Sequence, residues 1–127
     1  MSRIVRGGLI QCTSTHEGTA PLPEIKAAMI EKNMGYLEDA AEAGCQVVCL
    51  QEIFYGPYFP AEQAMRWYGL TESIPDGPTV QLMCETAKRL AMVLIVPIYE
   101  VEQAGVYYNT AAVIDADGPY LGKYRKS

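Results

Sequence analysis

The segment Gly44–Glu52, with the sequence GCQVVCLQE, decides the fold of this chain. Its centre, Gln46–Gln51, is short, rich in β-branched residues and apolar on both faces, which is typical of a strand covered on two sides. Gly44 stands where a left-handed helix cap is expected. The segment therefore predicts the end of a helix, a buried strand, and then an acidic residue, Glu52, at the carboxyl end of that strand.

A helix and another strand are predicted before this segment. The apolar side chains of Glu24–Ala43 recur with a helical period. Ile4–Cys12 is predicted as a first strand, although its two adjacent glycines would weaken it outside a sheet. A strand, a helix and a second strand in this order predict a parallel pair joined by a crossover.

A second helix and a third strand follow. The loop Ile53–Pro60 is rich in glycine, proline and aromatic residues, and a short helix is predicted at Ala61–Tyr68. The turn Asp76–Thr79 places a proline at the start of a helix that runs to about Leu90. Met92–Tyr99 is then a buried strand. These elements predict an α/β fold with a parallel core.

The last third of the chain predicts antiparallel hairpins. Pro97 indicates a bulge or an unpaired position in the third strand. Glu102–Gly105 is a turn, Val106–Ile114 a strand, Asp115–Gly118 a second turn, and Tyr120–Lys126 the returning strand. The sheet is thus parallel in its first part and antiparallel in its second.

Length and charge exclude several classes of protein. The 127 residues suffice for one domain, and a composition that is 50% hydrophobic and 20% charged is globular. The net charge of −5 gives no electrostatic footprint for nucleic acid. Apolar runs are too short to span a membrane or to form a signal peptide, so we expect a cytoplasmic protein.

The cysteines and the single histidine do not form a metal site. Their spacing does not match a zinc motif, and we expect no metal and no cofactor. The cysteines lie in strand or helix contexts without adjacent basic groups, which favours reduced, half-buried thiols over an activated nucleophile. The residues concerned are Cys12, Cys45, Cys49, Cys84 and His16.

Two charged residues are candidates for catalysis. Ligand sites of open α/β sheets lie beyond the carboxyl ends of the strands, which is where Glu52 stands. Partial desolvation there would raise the pKa of Glu52 and make it a general base. Lys126, in the cluster Lys123–Lys126, could stabilise an oxyanion. The alternatives are an exposed acid at a strand end for Glu52, and a solvated basic strand end or terminal tail for Lys126.

Three further residues are candidates for binding substrate or orienting it. Tyr55 and Tyr58 belong to the aromatic loop, which could wall a pocket or pack over the edge of the core. Asn109 is a polar residue inside an apolar strand, so it could orient a catalytic side chain or bond locally to the backbone. The sequence excludes neither alternative for the aromatic loop and neither alternative for Asn109.

Taken together, several segments resemble the nitrilase superfamily of carbon–nitrogen hydrolases. The acid after a buried strand and the basic segment near Lys126 are specific in combination and weak alone. The segments occur in the family's order and at compatible spacing: Ile4–Cys12, Gly44–Glu52, Asp76–Thr79, Tyr108–Ile114 and Asp117–Lys126.

The resemblance implies a fold and a mechanism. The fold would be the N-terminal part of a four-layer α-β-β-α sandwich, with residues 1–127 forming one incomplete domain. The family uses a Glu-Lys-Cys triad, in which Glu52 and Lys126 match the glutamate and the lysine. The family's cysteine lies after the lysine motif, and none of the four cysteines matches it. We therefore expect further polypeptide, as missing sequence or as a partner chain, and no covalent catalysis without it.

Within the superfamily, Gln51–Pro60 and Gly122–Lys126 most resemble β-ureidopropionases and related N-carbamoyl amidohydrolases. This resemblance implies hydrolysis of a small-molecule N-carbamoyl amine or amino acid in a homo-oligomer. An N-carbamoylputrescine amidase or ω-amidase would share the motifs. The competing hypothesis is non-enzymatic: a short protein that serves as a pseudoenzyme or as an interaction module, docking on a full-length relative through an exposed sheet edge and apolar surface.

Overall fold

Five strands and two helices form one layer of sheet and one layer of helices. The computed structural model describes residues 3–127. The sheet has the order β1-β2-β3-β4-β5. The strands are β1 (Gly7–Leu9), β2 (Val47–Cys49), β3 (Val93–Gln103), β4 (Val106–Ile114) and β5 (Tyr120–Arg125), and the helices are α1 (Leu22–Glu42) and α2 (Pro78–Leu90).

Both helices cover the same face of the sheet. β1, β2 and β3 are parallel and adjacent in chain order, whereas β4 and β5 are antiparallel additions. Because parallel crossovers are right-handed, two crossovers that advance in one direction place both helices on one side. The hydrophobic core lies between these layers and includes Leu37, Val48, Leu50, Val80, Met83, Leu94, Val96, Ile98, Ala112 and Ile114.

The opposite side of the sheet is half-buried rather than covered. Strand side chains alternate between the two faces, so the neighbours of the core residues point away from the helices. We call this side the open face. The expectation that both faces of β2 are covered is therefore met on one face only, because both helices lie on the other. The open face consists of Val47, Cys49, Val93, Ile95, Pro97, Ala111 and Val113.

The predicted elements agree with the structure over both helices, within two residues at each end, and over β4 without any difference. The first strand is shorter than the predicted Ile4–Cys12, because its partner β2 is itself three residues long. The predicted helix Ala61–Tyr68 is replaced by two 3-10 turns, Phe59–Ala61 and Met65–Leu70.

Pro97 pairs with Ala111 of β4 but lies beyond the pairing with β2, so the predicted unpaired position is found on one side of the strand only. The pairing of β2 with β3 ends at Cys49 and Ile95, so the missing N–H of Pro97 faces no strand on that side. Its carbonyl accepts a hydrogen bond from Phe54 at 3.3 Å. The bulge in β3 lies further along, between Val101 and Gln103.

A second bulge sets the phase of β5. Tyr120 pairs with Ile114 and Gly122 pairs with Val113, so Leu121 is an extra residue on the edge strand. Gly122 has a φ of +155°, which favours glycine at this point. From Gly122 onward the register with β4 is regular up to Arg125.

The connection into α2 is held by a buried acid. The carboxylate of Glu72 accepts hydrogen bonds from the backbone N–H of Thr79, at 2.7 Å, and from its hydroxyl, and it pairs with Lys26. An anionic acceptor in the first turn satisfies donors that have no partner within the helix. Gly77 allows this close approach, since a Cβ there would lie 2.5 Å from the carbonyl oxygen of Ser73.

No helix within residues 3–127 combines the length and the apolar character needed to cross a bilayer.

Candidate active site

Glu52, Asn109 and Lys126 meet at one carboxylate oxygen. The Nζ of Lys126 lies 2.7 Å from Oε1 of Glu52, and Nδ2 of Asn109 donates to the same oxygen at 2.6 Å. These residues are separated by up to 74 positions in the sequence. The structure therefore brings together three of the five candidate residues, as a carboxylate held by an ammonium and an amide.

The register of the sheet explains this convergence. Asn109 lies on β4 two residues before Ala111, so its side chain shares the open face. The backbone N–H of Lys126 donates to the carbonyl of Asn109 at 2.9 Å, which continues the β4–β5 pairing one residue past Arg125. Lys126 and Asn109 are thus opposite each other on one face. The three polar groups form the rim of the open face.

A sharp turn directs Glu52 toward this rim. Ile53 has a φ of +47°, a left-handed conformation that a β-branched residue rarely adopts and that costs on the order of 1–3 kcal/mol. The strain is held because Ile53, Phe54 and Tyr55 are fully buried in the core. The chain therefore turns inward directly after Glu52, and the carboxylate stays at the surface.

The pKa of Glu52 is lowered, not raised. The hydrogen bond from Lys126 is the main cause, the bond from Asn109 adds to it, and desolvation opposes both. The expectation that burial raises the pKa is wrong for this structure, because the Glu52 side chain is 40% exposed. Glu52 in turn raises the pKa of Lys126. At neutral pH the two groups form an ionised pair.

The two candidate tyrosines have different surroundings. Tyr58 is 65% exposed and close enough to Lys126 to contribute to raising the pKa of that lysine. Tyr55 is fully buried, and its hydroxyl donates to the carbonyl of Leu70 at 2.6 Å. Burial raises the pKa of Tyr55. Of the two alternatives for Tyr55, the structure shows packing against the core, and its role in binding substrate does not follow from this position.

The aromatic loop does form a groove, but not around the carboxylate. Its second half, from Phe59, contributes to a cavity of about 350 Å³ that is lined by neither Glu52 nor Lys126. The first half, Phe54 and Tyr55, is buried in the core instead. The groove is lined by Phe59, Pro60, Glu62, Gln63, Ala64, Met65, Trp67, Tyr68 and Tyr99.

A second charged cluster lies on the other side of β5. Glu100 is 1% exposed and accepts from Nε of Arg125 at 2.8 Å and from Nη2 at 3.1 Å. It also pairs with Lys123 and accepts from the hydroxyl of Thr110 at 2.9 Å. Burial alone would raise the pKa of Glu100, but these donors outweigh it and lower the pKa to about 2.

Glu100 is not among the residues predicted from the sequence, although the alternation of β5 contains the signal. Lys123 and Arg125 are two residues apart, so a strand places them on one face, and it places Lys126 on the other. The basic cluster therefore divides into two functions. Two of its members bind a buried acid beneath the sheet, and the last one reaches Glu52 above it.

Cys49 and Cys84 do not show the features of an activated thiolate. Burial raises the pKa of Cys49, and burial followed by the charge of Glu85 raises the pKa of Cys84. A raised pKa reduces the thiolate fraction, which is the reactive form. Over residues 3–127, no three potential metal-ligating side chains are grouped.

Comparison with known proteins identifies similar sequences. A family model described as carbon-nitrogen hydrolase matches residues 8–127. A β-ureidopropionase of Arabidopsis thaliana is 33% identical over 98% of this chain and 31% of its own length. For an N-carbamoylputrescine amidase of Solanum lycopersicum the values are 39%, 69% and 29%, and for an omega-amidase of Homo sapiens 35%, 83% and 36%. The chain thus spans about a third of the length of these relatives.

Solved structures share the fold. A carbon-nitrogen hydrolase from Helicobacter pylori G27 superposes with a TM-score of 0.82 at 25% identity, over 96% of this chain and 39% of its own. Nit3 of Saccharomyces cerevisiae, described as a member of branch 10 of the nitrilase superfamily, gives 0.67 at 21% identity, over 89% and 42%. The predicted α/β fold, the N-terminal part of an α-β-β-α sandwich, is confirmed.

Proposed function

This chain belongs to the carbon–nitrogen hydrolase family, and from that premise we propose that Glu52 and Lys126 are two members of a Glu-Lys-Cys triad. The reaction is the hydrolysis of a non-peptide carbon–nitrogen bond in a small molecule. The observation that carries the proposal is the 2.7 Å pair between Nζ of Lys126 and Oε1 of Glu52. The pair supports the proposal because a proton acceptor and a positive charge lie side by side, as the proposed reaction requires.

Each group has a role that its chemistry supports. A cysteine thiol gives its proton to Glu52 as its sulfur attacks the carbonyl carbon, and the ammonium of Lys126 stabilises the oxyanion that forms. Glu52 passes the proton to the departing nitrogen as the carbon–nitrogen bond breaks. Water then attacks the thioester and returns the sulfur as a thiol, with Glu52 again as the base. Asn109 holds the carboxylate in place through its 2.6 Å bond.

The nucleophile in this proposal is a cysteine outside the 127 residues. The raised pKa values of Cys49 and Cys84 disfavour those thiols. The open face supports an additional layer, because apolar residues such as Ile95 and Val113 gain stability when they are covered. A layer on that face would also cover the Glu52 carboxylate. Desolvation would then oppose the effect of Lys126 and raise the pKa of Glu52 toward the range in which a general base works.

The proposed substrate is an N-carbamoyl amine or amino acid, as for a β-ureidopropionase. Its hydrolysis gives the amine, carbon dioxide and ammonia. The relatives named as N-carbamoylputrescine amidase and omega-amidase keep a carbamoyl polyamine and a linear amide as alternatives. We further propose that the enzyme acts in the cytoplasm as a homo-oligomer, since a half-buried apolar face and an open edge strand favour association.

The same face supports a second, non-enzymatic function, which is docking on another protein. Leu121 on β5 is 59% exposed, and Leu9 on β1 is 89% exposed, so both edges of the sheet present apolar side chains. An interaction module would use this surface without turning over substrate. The two functions predict different results. The hydrolase requires a larger intact mass and the Glu52 carboxylate, whereas the interaction module requires neither.

The test uses the protein as its host produces it. Its intact mass is measured first, followed by ammonia release from 3-ureidopropionate, N-carbamoylputrescine and a linear ω-amide. Glu52→Gln and Lys126→Ala should each reduce turnover by about a hundredfold or more while the fold is retained. Glu62→Gln and Lys88→Ala, which change exposed charges elsewhere, should retain activity.

Near-wild-type turnover in both Glu52→Gln and Lys126→Ala would overturn the proposal. A mass that corresponds to these residues alone, together with no hydrolysis of any of the three substrates, would favour the interaction module instead.

A further inference from the structure

The side chain of Glu100 holds β5 in place in addition to the backbone hydrogen bonds between β4 and β5. Its side chain is 1% exposed, and both of its oxygens are used. Arg125 donates to Oε1 and Oε2 in a two-pronged arrangement, Lys123 pairs with Oε2, and Thr110 donates to Oε1. Arg125 also lies 3.8 Å above the ring of Tyr108. Bidentate arginine–carboxylate pairs fix geometry as well as contributing energy.

This cluster lies directly beneath the candidate active site. Arg125 precedes Lys126 in the sequence, and the alternation of the strand sends the two side chains to opposite faces. Arg125 pairs with Thr110, and Lys126 continues the ladder at Asn109. The buried cluster and the Glu52 pair thus hold consecutive residues of β5 from its two sides.

β5 needs such an anchor, because it is the last strand in the order of the sheet described for residues 3–127. Among the strands of the described residues it is hydrogen-bonded to β4 alone, and Lys126 follows its final residue. Strand ends with one partner are prone to local opening. The Lys126 side chain is 62% exposed, so it has little packing against the protein to hold it in place.

We infer that Glu100 is a positioning residue for the active site, which fixes the ammonium of Lys126 beside Glu52 by anchoring Arg125 and Lys123 from the opposite face of β5. The catalytic part of this inference rests on the proposed function. The geometric part does not, because the placement of Lys126 against Glu52 can be measured without turnover.

The decisive variant is Glu100→Gln, which keeps the shape of the side chain and removes its charge. When β5 is less firmly held, Lys126 spends less time within hydrogen-bonding distance of Glu52, and the pKa of the Glu52 carboxyl rises toward its ordinary value. The direct effect of removing a negative charge is the opposite, since it lowers the pKa of a neighbouring acid. The sign of the change therefore separates positioning from simple electrostatics.

The measurement is the titration of the Glu52 carboxyl carbon by NMR, with Glu52→Gln used for assignment. Glu102→Gln is the matched control: Glu102 also pairs with Arg125, at 3.1 Å, but its side chain is 49% exposed. It should leave the Glu52 titration and the activity unchanged. Met83→Ala, in the core on α2, controls for lost stability, because it should lower the urea midpoint of unfolding without moving the titration.

In the active protein, Glu100→Gln should reduce kcat by about tenfold to a hundredfold and leave KM within about twofold, as expected for a displaced catalytic group. If this variant does not fold, Arg125→Lys tests the same anchor, since lysine cannot replace the bidentate pair. It should change the titration in the same direction and to a smaller extent.

The two proposals fail in different ways. An unchanged or lowered pKa of Glu52 in Glu100→Gln, or in Arg125→Lys if the first variant does not fold, would overturn the positioning role. If the wild type nevertheless hydrolyses its substrate, the proposed function remains supported. A raised pKa in a protein without hydrolase activity would support positioning and remove the proposed function.

Discussion

Lys126 lies directly across from Asn109, and its backbone N–H donates to the carbonyl oxygen of Asn109 at 2.9 Å. The two side chains then converge on the same oxygen of Glu52. A single hydrogen bond between β4 and the first residue beyond β5 thus fixes the relative positions of an amide and an ammonium. Because the bond continues the sheet ladder, the register of β4 and β5 decides which side chains reach Glu52 in the candidate active site.

The first prediction concerns Asn109→Leu, which keeps the size of the side chain and removes its donor. We expect the pKa of Glu52 to rise, because the bond from Asn109 helps to lower it. The acidic limb of the pH profile of kcat/KM should therefore move to higher pH, as measured in the active protein. Gln103→Leu, at the exposed end of β3 in the same hairpin, should leave the profile in place. An unchanged limb in Asn109→Leu would contradict the orienting role.

A second prediction concerns stability and pH. The pKa of Glu100 is about 2 against an ordinary value of 4.5, so its ion pairs stabilise the fold fully above about pH 4.5. This contribution is lost as the pH falls toward 2, because the unfolded chain binds a proton first. The difference corresponds to about 3 kcal/mol. Urea unfolding of wild type and Glu100→Gln should differ most near neutral pH and converge in acid. A constant difference would contradict the prediction.

A third prediction concerns the end of α2. Ala91 has a φ of +52° in the left-handed region, where a Cβ is unfavourable and glycine is not. Ala91→Gly should therefore stabilise the protein by about 0.5–1 kcal/mol in urea unfolding. The control is Ala43→Gly at the end of α1, where φ is −74° and the added freedom should destabilise by a similar amount. Destabilisation by both changes would show that Ala91 is not strained.

A fourth prediction compares two glycines. Gly77→Ala places a Cβ 2.5 Å from the carbonyl oxygen of Ser73, and it should destabilise by about 1–3 kcal/mol through displacement of the Glu72 cap. Gly35 lies on the exposed side of α1 with open space around it. Gly35→Ala should stabilise by up to about 1 kcal/mol. Thermal unfolding of both variants is the measurement, and equal effects would refute the steric explanation.

The order of elements could be predicted because each carries a local pattern. The helical period of α1, the proline at the start of α2 and the alternation in β4 are properties of contiguous residues, and these elements agree closely with the structure. The convergence of Glu52 and Lys126 was predicted from strand ends and from a family resemblance. The structure places those side chains in contact.

Other features could not be predicted, because they depend on long-range packing. The burial of Tyr55 follows from the left-handed turn at Ile53, which no local rule favours for a β-branched residue. The lowered pKa of Glu52 depends on partners 57 and 74 positions away. The burial of Glu100 could not be predicted for the same reason, since its ion-pair partners Lys123 and Arg125 lie on β5, 23 and 25 residues away.

The bulge at Leu121 limits where the length of this hairpin can vary. Inserting or deleting one residue between Gly122 and Lys126 would shift the register of the strand and exchange its two faces. The side chains of Lys123 and Arg125 would then face outward, and the ammonium of Lys126 would point into the interior. At Leu121 an added or lost residue changes only the size of an existing irregularity. Related chains of different length should therefore differ at that point and keep the spacing of the residues after it.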